Sequence, residues 1–313
     1  MMQRPCAIDL FAGAGGMSLG FEQAGFDIVA AVEIDPIHAA VHKFNFPDCT
    51  VIPESVTGLT GADIRQRAGL GNRVIDLVCG GAPCQGFSMI GKRAIDDPRN
   101  GLVKDFLRIV RELDARAFVF ENVKGLTVGN HRRFLQELVA EFQAAGYDVL
   151  TPPRVLNAKD YGVPQSRERL FLMGVKTGET LPAYPLPLPR GVTCQDALAD
   201  LPEAEAYAGL LHSDTARNVT WGTPSAYARD MRCLSNAAWH FGHVRDWDGS
   251  VLTSSMRTDH TAISRRRFGE TAPGTVEPIS RLFKLAADGI SNTLRAGTDA
   301  ARGGFHKPAP DPL

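Results

Sequence analysis

Cys84 is the residue with the best setting for nucleophilic chemistry, in the stretch Gly80-Gly81-Ala82-Pro83-Cys84-Gln85-Gly86-Phe87-Ser88. It follows the apolar run from Val74 to Cys79. A run of this kind ending in Gly-Gly reads as a buried strand feeding a turn, and Ala82-Pro83 then fixes a bend. The next side chain is held at the carboxyl end of the strand, which is where open α/β sheets bind ligands. A free thiol has a pKa of about 8.5, so at neutral pH only roughly a few per cent is thiolate unless a nearby positive charge or helix N-terminus lowers it. Cys84 is therefore either a nucleophile assisted by groups elsewhere in the chain or one more small buried hydrophobe. The second reading suits Cys79, inside the strand.

Other polar groups follow the same logic. The strand Ala117–Phe120 runs into Glu121-Asn122-Val123, which brings a carboxyl group to the edge that carries Cys84. Adjacent strands of a doubly wound sheet place such ends side by side, so a thiol and a carboxyl can face one substrate; the alternative is a capping role for Glu121 or Asn122. Farther on, Gln165-Ser166-Arg167-Glu168-Arg169 leads into the apolar strand Leu170 to Val175. Its arginines are either surface charges or planar, bidentate donors to a phosphate or a base carbonyl. Lys92, Arg93 and Arg99 lie among glycine, aspartate and proline just after the thiol, as a basic loop beside it or as solubilising charge.

The elements that must position these groups alternate between strand and helix patterns. Cys6–Phe11 reads as a first buried strand, Ala12-Gly13-Ala14-Gly15-Gly16 as a turn, and Met17–Ala24 as an amphipathic helix. Strand, glycine turn and helix let a backbone approach a nucleotide-like ligand closely, although a tight turn without a ligand has the same signature. The next strand, Asp27–Val32, ends in Glu33-Ile34-Asp35. An acid roughly 20 residues beyond the glycines is where ribose hydroxyls are held. Gly13-x-Gly15-x-x-Ser18 is a poor dinucleotide fingerprint, and element order does not separate an adenine dinucleotide from S-adenosylmethionine. Helices are predicted around 37–44 and 62–68, with a short strand at 50–52 between them. Phe106, Ile109, Val110 and Leu113 mark one buried helix face, and Phe134, Leu135, Leu138, Val139 and Phe142 another. A strand is predicted over 149–156 and a loop over 157–164. The fold class that follows is α/β, a doubly wound and mostly parallel sheet with a second, smaller irregular domain.

The chain has 313 residues, 44% of them hydrophobic and 22% charged, and a net charge of −1, which gives no global sign of nucleic acid. Its six cysteines, at 6, 49, 79, 84, 194 and 233, contain no CxxC pair, which argues against a disulfide framework or a metal site and for a reducing cytoplasm. The N-terminus lacks the pattern of a signal peptide, and no apolar run approaches the roughly 20 residues that span a bilayer. A proline-rich linker at 181–191 separates a catalytic domain, 1–180, from a segment of poor periodicity at 192–290. That segment holds Trp221, Trp239, Trp247 and Arg265-Arg266-Arg267, a mixture that fits nucleic-acid contact or a solvated basic edge. Residues 291–313 read as a return segment and a tail.

Taken together and in order, DLFAGAGGMSLG (Asp9 to Gly20), GAPCQGFS (Gly81 to Ser88), ENV (Glu121 to Val123) and YGVPQSRER (Tyr161 to Arg169) closely resemble the DNA (cytosine-5)-methyltransferase family. Residues 292–298 look like the segment where that family's chain returns from its DNA-reading domain. The resemblance implies a Rossmann-like domain that binds S-adenosylmethionine, a target-recognition domain at 192–290, and methyl transfer to cytosine C5 in double-stranded DNA. Cys84 would add to C6 of a flipped-out base, Glu121 would protonate or hydrogen-bond N3, Arg169 would contact the O2 side, and Arg167 would order the site or a phosphate. Gln85, Ser88, Asn122, Val123 and Gln165 would contact the substrate. Asp9, Phe11, Gly13, Gly15, Gly16, Glu33, Ile34, Ser55 and Pro83 would form the cofactor site, with Glu33 on the ribose and Ile34 against the adenine. No metal is implied.

The family often places an aspartate after its third strand, where this chain has Ser55; Asp63 replaces it only in a shifted alignment. The late arginine-rich helix motif and the final Gly-Asn-x-Val-Pro segment are not found after Val192. The resemblance thus implies a prokaryotic-type enzyme, cytoplasmic and acting on DNA, whose C-terminal motifs are supplied by a second polypeptide or lost. It also implies a possible pairing with a cognate restriction endonuclease. An RNA cytosine-5 methyltransferase and an inactive nucleic-acid-binding fragment are the competing expectations, and the long segment from Val192 to Arg295 favours DNA over RNA.

Overall fold

The computed structural model describes residues 4–83, 101–128, 131–232, 234 and 248–294. The chain divides into two compact units, one of residues 1–156, 168–186 and 238–244, the other of residues 157–167, 187–237 and 245–313.

The first unit is built on a sheet of eight strands: β1 (Cys6–Leu10), β2 (Asp27–Val32), β3 (Thr50–Ile52), β4 (Leu77–Gly80), β5 (Ala117–Val123), β6 (Tyr147–Val149), β7 (Arg154–Asn157) and β8 (Glu168–Lys176). Their order is β3-β2-β1-β4-β5-β8-β6, with β7 paired to β8. The pairs among β1 to β5 are parallel, and β8 lies antiparallel between β5 and β6. This is the doubly wound, mostly parallel α/β fold. β1 and β4 are buried along their whole length, because helices cover both faces of a parallel sheet.

Five helices connect these strands: α1 (Gly16–Gln23), α2 (Pro36–Asn45), α3 (Gly61–Arg67), α4 (Gly101–Glu112) and α5 (His131–Ala144). Local chemistry starts several of them. Asp35 caps α2 by accepting from the Ile37 and His38 N–H groups, with Pro36 in the first turn. Thr60 and Asp63 form a reciprocal capping box on α3. The apolar faces of α4 and α5 enter the main core, where the Phe118 and Phe142 rings stack at 3.9 Å and Phe106 meets Phe120 at 5.2 Å. β1 and β4 approach so closely that a Cβ on Gly80 would sit 2.4 Å from the Leu10 carbonyl oxygen.

Three elements differ from the sequence expectation, the first being the run from Val74, which is strand only from Leu77 to Gly80. β5 continues three residues past Phe120, because the antiparallel β8 supplies partners as far as Val123 opposite Arg169. The single strand expected over 149–156 is two strands, interrupted at Thr151-Pro152-Pro153, where proline cannot donate to a ladder.

The second unit has little regular structure among its described residues. It holds α6 (Cys194–Leu198), β9 (Ala216–Arg217), α7 (Ala226–Met231), β10 (Val251–Leu252) and α8 (Ala262–Glu270), with β9 and β10 forming a two-residue antiparallel ladder. The buried Asp200 pairs with Arg232, whose guanidinium lies 4.4 Å from the Trp221 ring centre. Trp221 Nε1 donates to the Gly249 carbonyl at 2.6 Å.

Candidate active site

At the carboxyl edge of the first unit, β4 and β5 bring two of the sequence motifs together. Glu121 lies opposite Phe171 in the ladder and Arg169 opposite Val123, so the two charged residues are diagonal neighbours on one face. Arg169 Nε stands 2.8 Å from Glu121 Oε1, and each side chain is 20% exposed. Arg169 Nη1 also donates to the Glu168 carbonyl at 2.8 Å. On its other side the Glu121 carboxylate lies against Gly81, where a Cβ would come within 2.9 Å of Oε2. The second glycine of the Gly80-Gly81 pair therefore leaves room for this carboxylate.

Asn122 completes the link between the two motifs. Its buried side chain donates from Nδ2 to the Ala82 carbonyl at 3.1 Å and accepts from the Val123 N–H at 2.9 Å. Both ends of the amide are thereby used on backbone, and β5 is tied to the Gly81-Ala82-Pro83 turn. Cys84, Gln85 and Ser88, together with Lys92, Arg93 and Arg99, lie outside the described residues.

Next to this cluster, the turn after β1 forms the second half of the edge. Phe11, Gly13 and Gly15 all have positive φ, at 61°, 52° and 102°. Gly15 precedes α1, whose N-cap makes no side-chain hydrogen bond; of the first-turn N–H groups, that of Ser18 is taken by Asp9. Glu33, buried at the end of β2, accepts from the Gly13 N–H through Oε2 at 2.8 Å and from the Asp35 N–H through Oε1 at 2.9 Å. A carboxylate has roughly four lone-pair sites, so two backbone donors fix Glu33 and leave acceptor capacity for hydroxyl groups. Ile34, the following residue, is 67% exposed and offers a bare apolar surface. An uncapped helix start, a fixed acid and a bare apolar side chain together suit a ligand that combines a carboxylate, a ribose and an aromatic base.

The remaining cofactor candidates have supporting positions. Asp9 is fully buried and accepts from the Ser18 hydroxyl at 2.7 Å, which clips β1 to α1. Burial pushes its carboxyl up to about 7, against the opposing pull of Ser18. Ser55 accepts from the Thr57 N–H at the start of a short 3-10 turn, and Pro83 is exposed. Asp63 is committed to the α3 capping box.

In the second unit, Gln165 bridges to Ser291, the Ser166 N–H donates to the Ser291 carbonyl at 2.8 Å, and Thr293 Oγ1 donates to the Ser166 carbonyl at 2.7 Å. The return segment thus runs beside the PQSR motif. Arg167 belongs to this unit, its N–H donating to Asn157 Oδ1 at 3.0 Å, whereas Arg169 belongs to the first unit. Arg265, Arg266 and Arg267 are each matched with an acid, Asp259, Glu270 and Glu277 respectively. Among the described residues no group of three or more His, Cys, Asp or Glu side chains could hold a metal, and no helix is long and apolar enough to cross a membrane.

Sequence reasoning read Gly81 and Ser18 only as parts of glycine-containing motifs and gave no site role to His42, Asn45 or Phe46, on and just after α2. Ala39, His42 and Phe46 are all buried, and a polar residue on the inner stripe of an amphipathic helix is the signal that could have marked His42.

A doubly wound sheet with a glycine turn, a fixed acid after its second strand and a carboxylate–arginine pair at the same edge is the fold of the Rossmann-like, S-adenosylmethionine-dependent methyltransferases. In agreement, the structure is similar to a prophage-encoded protein of Escherichia coli described as a DNA modification methyltransferase, with a TM-score of 0.77, 30% identity, and coverage of 93% of this chain and 82% of that one. The family model for C-5 cytosine-specific DNA methylases matches residues 6–270, and the chain belongs to that family. It is 58% identical over 309 residues to the type II methyltransferase M.XorII of Xanthomonas oryzae pv. oryzae, covering 99% of this chain and 72% of that protein. It is also 41% identical over 203 residues to M1.HphI of Haemophilus parahaemolyticus, covering 64% of this chain and 53% of that protein.

Proposed function

We propose that this chain transfers a methyl group from S-adenosylmethionine to C5 of cytosine in double-stranded DNA, through a transient bond between Cys84 and C6 of a base turned out of the helix. The observation that carries this reading is the Glu121–Arg169 pair, held against Gly81 and tied through Asn122 to the turn that leads into Cys84.

Cytosine C5 is a weak nucleophile, and addition of the Cys84 thiolate to C6 makes it a stronger one. As the C6–S bond forms, the ring electrons move toward N3, to which Glu121, entering this step as the protonated acid, donates a proton or a hydrogen bond. Arg169 holds Glu121 in place, and its guanidinium has five N–H donors, enough to serve both the carboxylate and the base O2. When bound, S-adenosylmethionine supplies an electrophilic methyl group to C5. Loss of the C5 proton then restores the ring double bond and expels the Cys84 thiolate. For the donor, Glu33 would hold the ribose hydroxyls, Ile34 would lie against the adenine, and the glycine turn with the start of α1 would receive the amino-acid end. The base must leave the stack because the attacked atoms are not reachable inside a duplex.

Methyl transfer from labelled cofactor to double-stranded DNA tests the reading, run on the chain alone and with a second polypeptide that carries a Gly-Asn-x-Val-Pro segment. Wild-type protein is expected to label DNA in at least one arrangement, and Cys84→Ala to abolish labelling while still binding the cofactor. Undiminished labelling by Cys84→Ala would rule the covalent route out.

A further inference from the structure

Four of the five residues of the turn between β1 and α1, Ala12 to Gly15, are fastened to one neighbouring unit, β2 and α2. The Ala12 N–H donates to the Val32 carbonyl at 3.1 Å, and the Gly13 N–H to Glu33 Oε2 at 2.8 Å. Asn45, at the last position of α2, donates from Nδ2 to the Ala14 carbonyl at 3.0 Å. Gly15 lies flat against two rings of the same helix, since a Cβ there would be 2.3 Å from Phe46 Cε2 and 3.2 Å from His42 Nδ1. The two rings stack on each other at 4.8 Å. His42 is fully buried with its ring against the backbone of Ala12 and Gly13, so it backs the turn chiefly by packing.

This arrangement has a consequence for ligand geometry. The turn combines three positive-φ residues with a single internal bond, from the Gly15 N–H to the Ala12 carbonyl, so outside contacts must hold its shape. Those contacts come from the same β2–α2 unit that presents Glu33 and Ile34. The two ends of the methyl donor would then be received by parts of one rigid assembly, their spacing set by the back of α2.

We propose that Asn45 and His42 are positioning residues for the methyl donor: Asn45 through its bond to Ala14, and His42, with Phe46, as a wall behind Gly15. The proposal rests on the reading that S-adenosylmethionine binds at the glycine turn.

Calorimetric titration of the full chain with S-adenosylmethionine, combined with thermal unfolding and steady-state kinetics, tests it. Asn45→Asp keeps the shape and loses the donor, and is expected to weaken cofactor binding about tenfold, the order of one lost hydrogen bond. The kcat at saturating cofactor and the KM for DNA should stay within about twofold, with the unfolding midpoint little changed. For His42, removing the ring with Ala should weaken cofactor binding, whereas Phe should preserve it. The His42 pair decides the matter if Asn45→Asp does not fold. Wild-type affinity in Asn45→Asp and His42→Ala, or a loss confined to kcat, would overturn the positioning role. A wild-type chain that binds no cofactor would instead overturn the reading beneath it.

Discussion

The carboxyl edge of the first unit and the irregular second unit differ in what holds the charged groups named above. At the edge, charge is held by backbone and close packing: Glu33 by two N–H groups, Glu121 by the space that Gly81 leaves as well as by Arg169. In the second unit, two of the arginines are held by acids on an irregular backbone, Arg232 by Asp200 and Arg265 by Asp259. A main-chain donor has a fixed direction and cannot swing away, which suits groups that must meet a reacting atom. A pair of long side chains on an irregular backbone depends on both members, and losing one leaves the other without compensation.

The largest effect expected from this contrast is at Asp200. Asp200→Asn removes a buried carboxylate charge that faces the Arg232 guanidinium and should cost about 3–5 kcal/mol. Hydrogen exchange should show the loss in residues 194–232 while β1 to β5 stay protected; uniform loss in both units would break the distinction. A smaller effect is expected at Gly81, where Ala sets a methyl group 2.9 Å from Glu121 Oε2. Displacement of a reacting group by about 1 Å can cost on the order of a hundredfold, so kcat should fall roughly ten- to a hundredfold with cofactor affinity unchanged. Unaltered kcat would remove Gly81 from the account.

A third effect, at Asp9, is read from pH. Burial raises its carboxyl to about 7 in the folded chain, so the folded state binds more protons than the unfolded state between about pH 4 and that value. Its contribution is fully present below the unfolded pKa and is lost as pH rises through about 7. Asp9→Asn removes that dependence, so the stability difference, wild type minus variant, should decline between pH 4 and 7 by at most about 4 kcal/mol. Denaturant titrations at several pH values check this, and a flat difference would show that the carboxyl is not held neutral.

Much of the edge was legible because its chemistry is local in the chain. A glycine cluster between an apolar strand and a helix, an acid after the next strand, and Glu121 after another apolar run each carry their own signature, and the doubly wound order follows from alternating strand and helix patterns. The diagonal contact of Arg169 with Glu121 was not legible, because it depends on β8 joining the sheet antiparallel and on its register. The same pairing carried β5 through Glu121 and Asn122, residues that read from sequence as following the strand. Asn122 read as a substrate contact, and only the fold shows its amide bonded to Ala82 and Val123. The run Arg265-Arg266-Arg267 read as basic, and only the fold shows an acid beside each arginine.

The amino-acid sequence by itself determined the family and the order of the motifs and named the candidates for the reacting groups, since these rest on side-chain chemistry and on spacing within single strand–turn–helix units. Tertiary structure decided which of those groups touch and what holds them still. Register between distant strands brought Arg169 to Glu121, the missing side chain of Gly81 made room for the carboxylate, and the inner face of α2 closed on the glycine turn. Contacts of this kind depend on the positions of residues far apart in the chain, so they exist only once the sheet has formed.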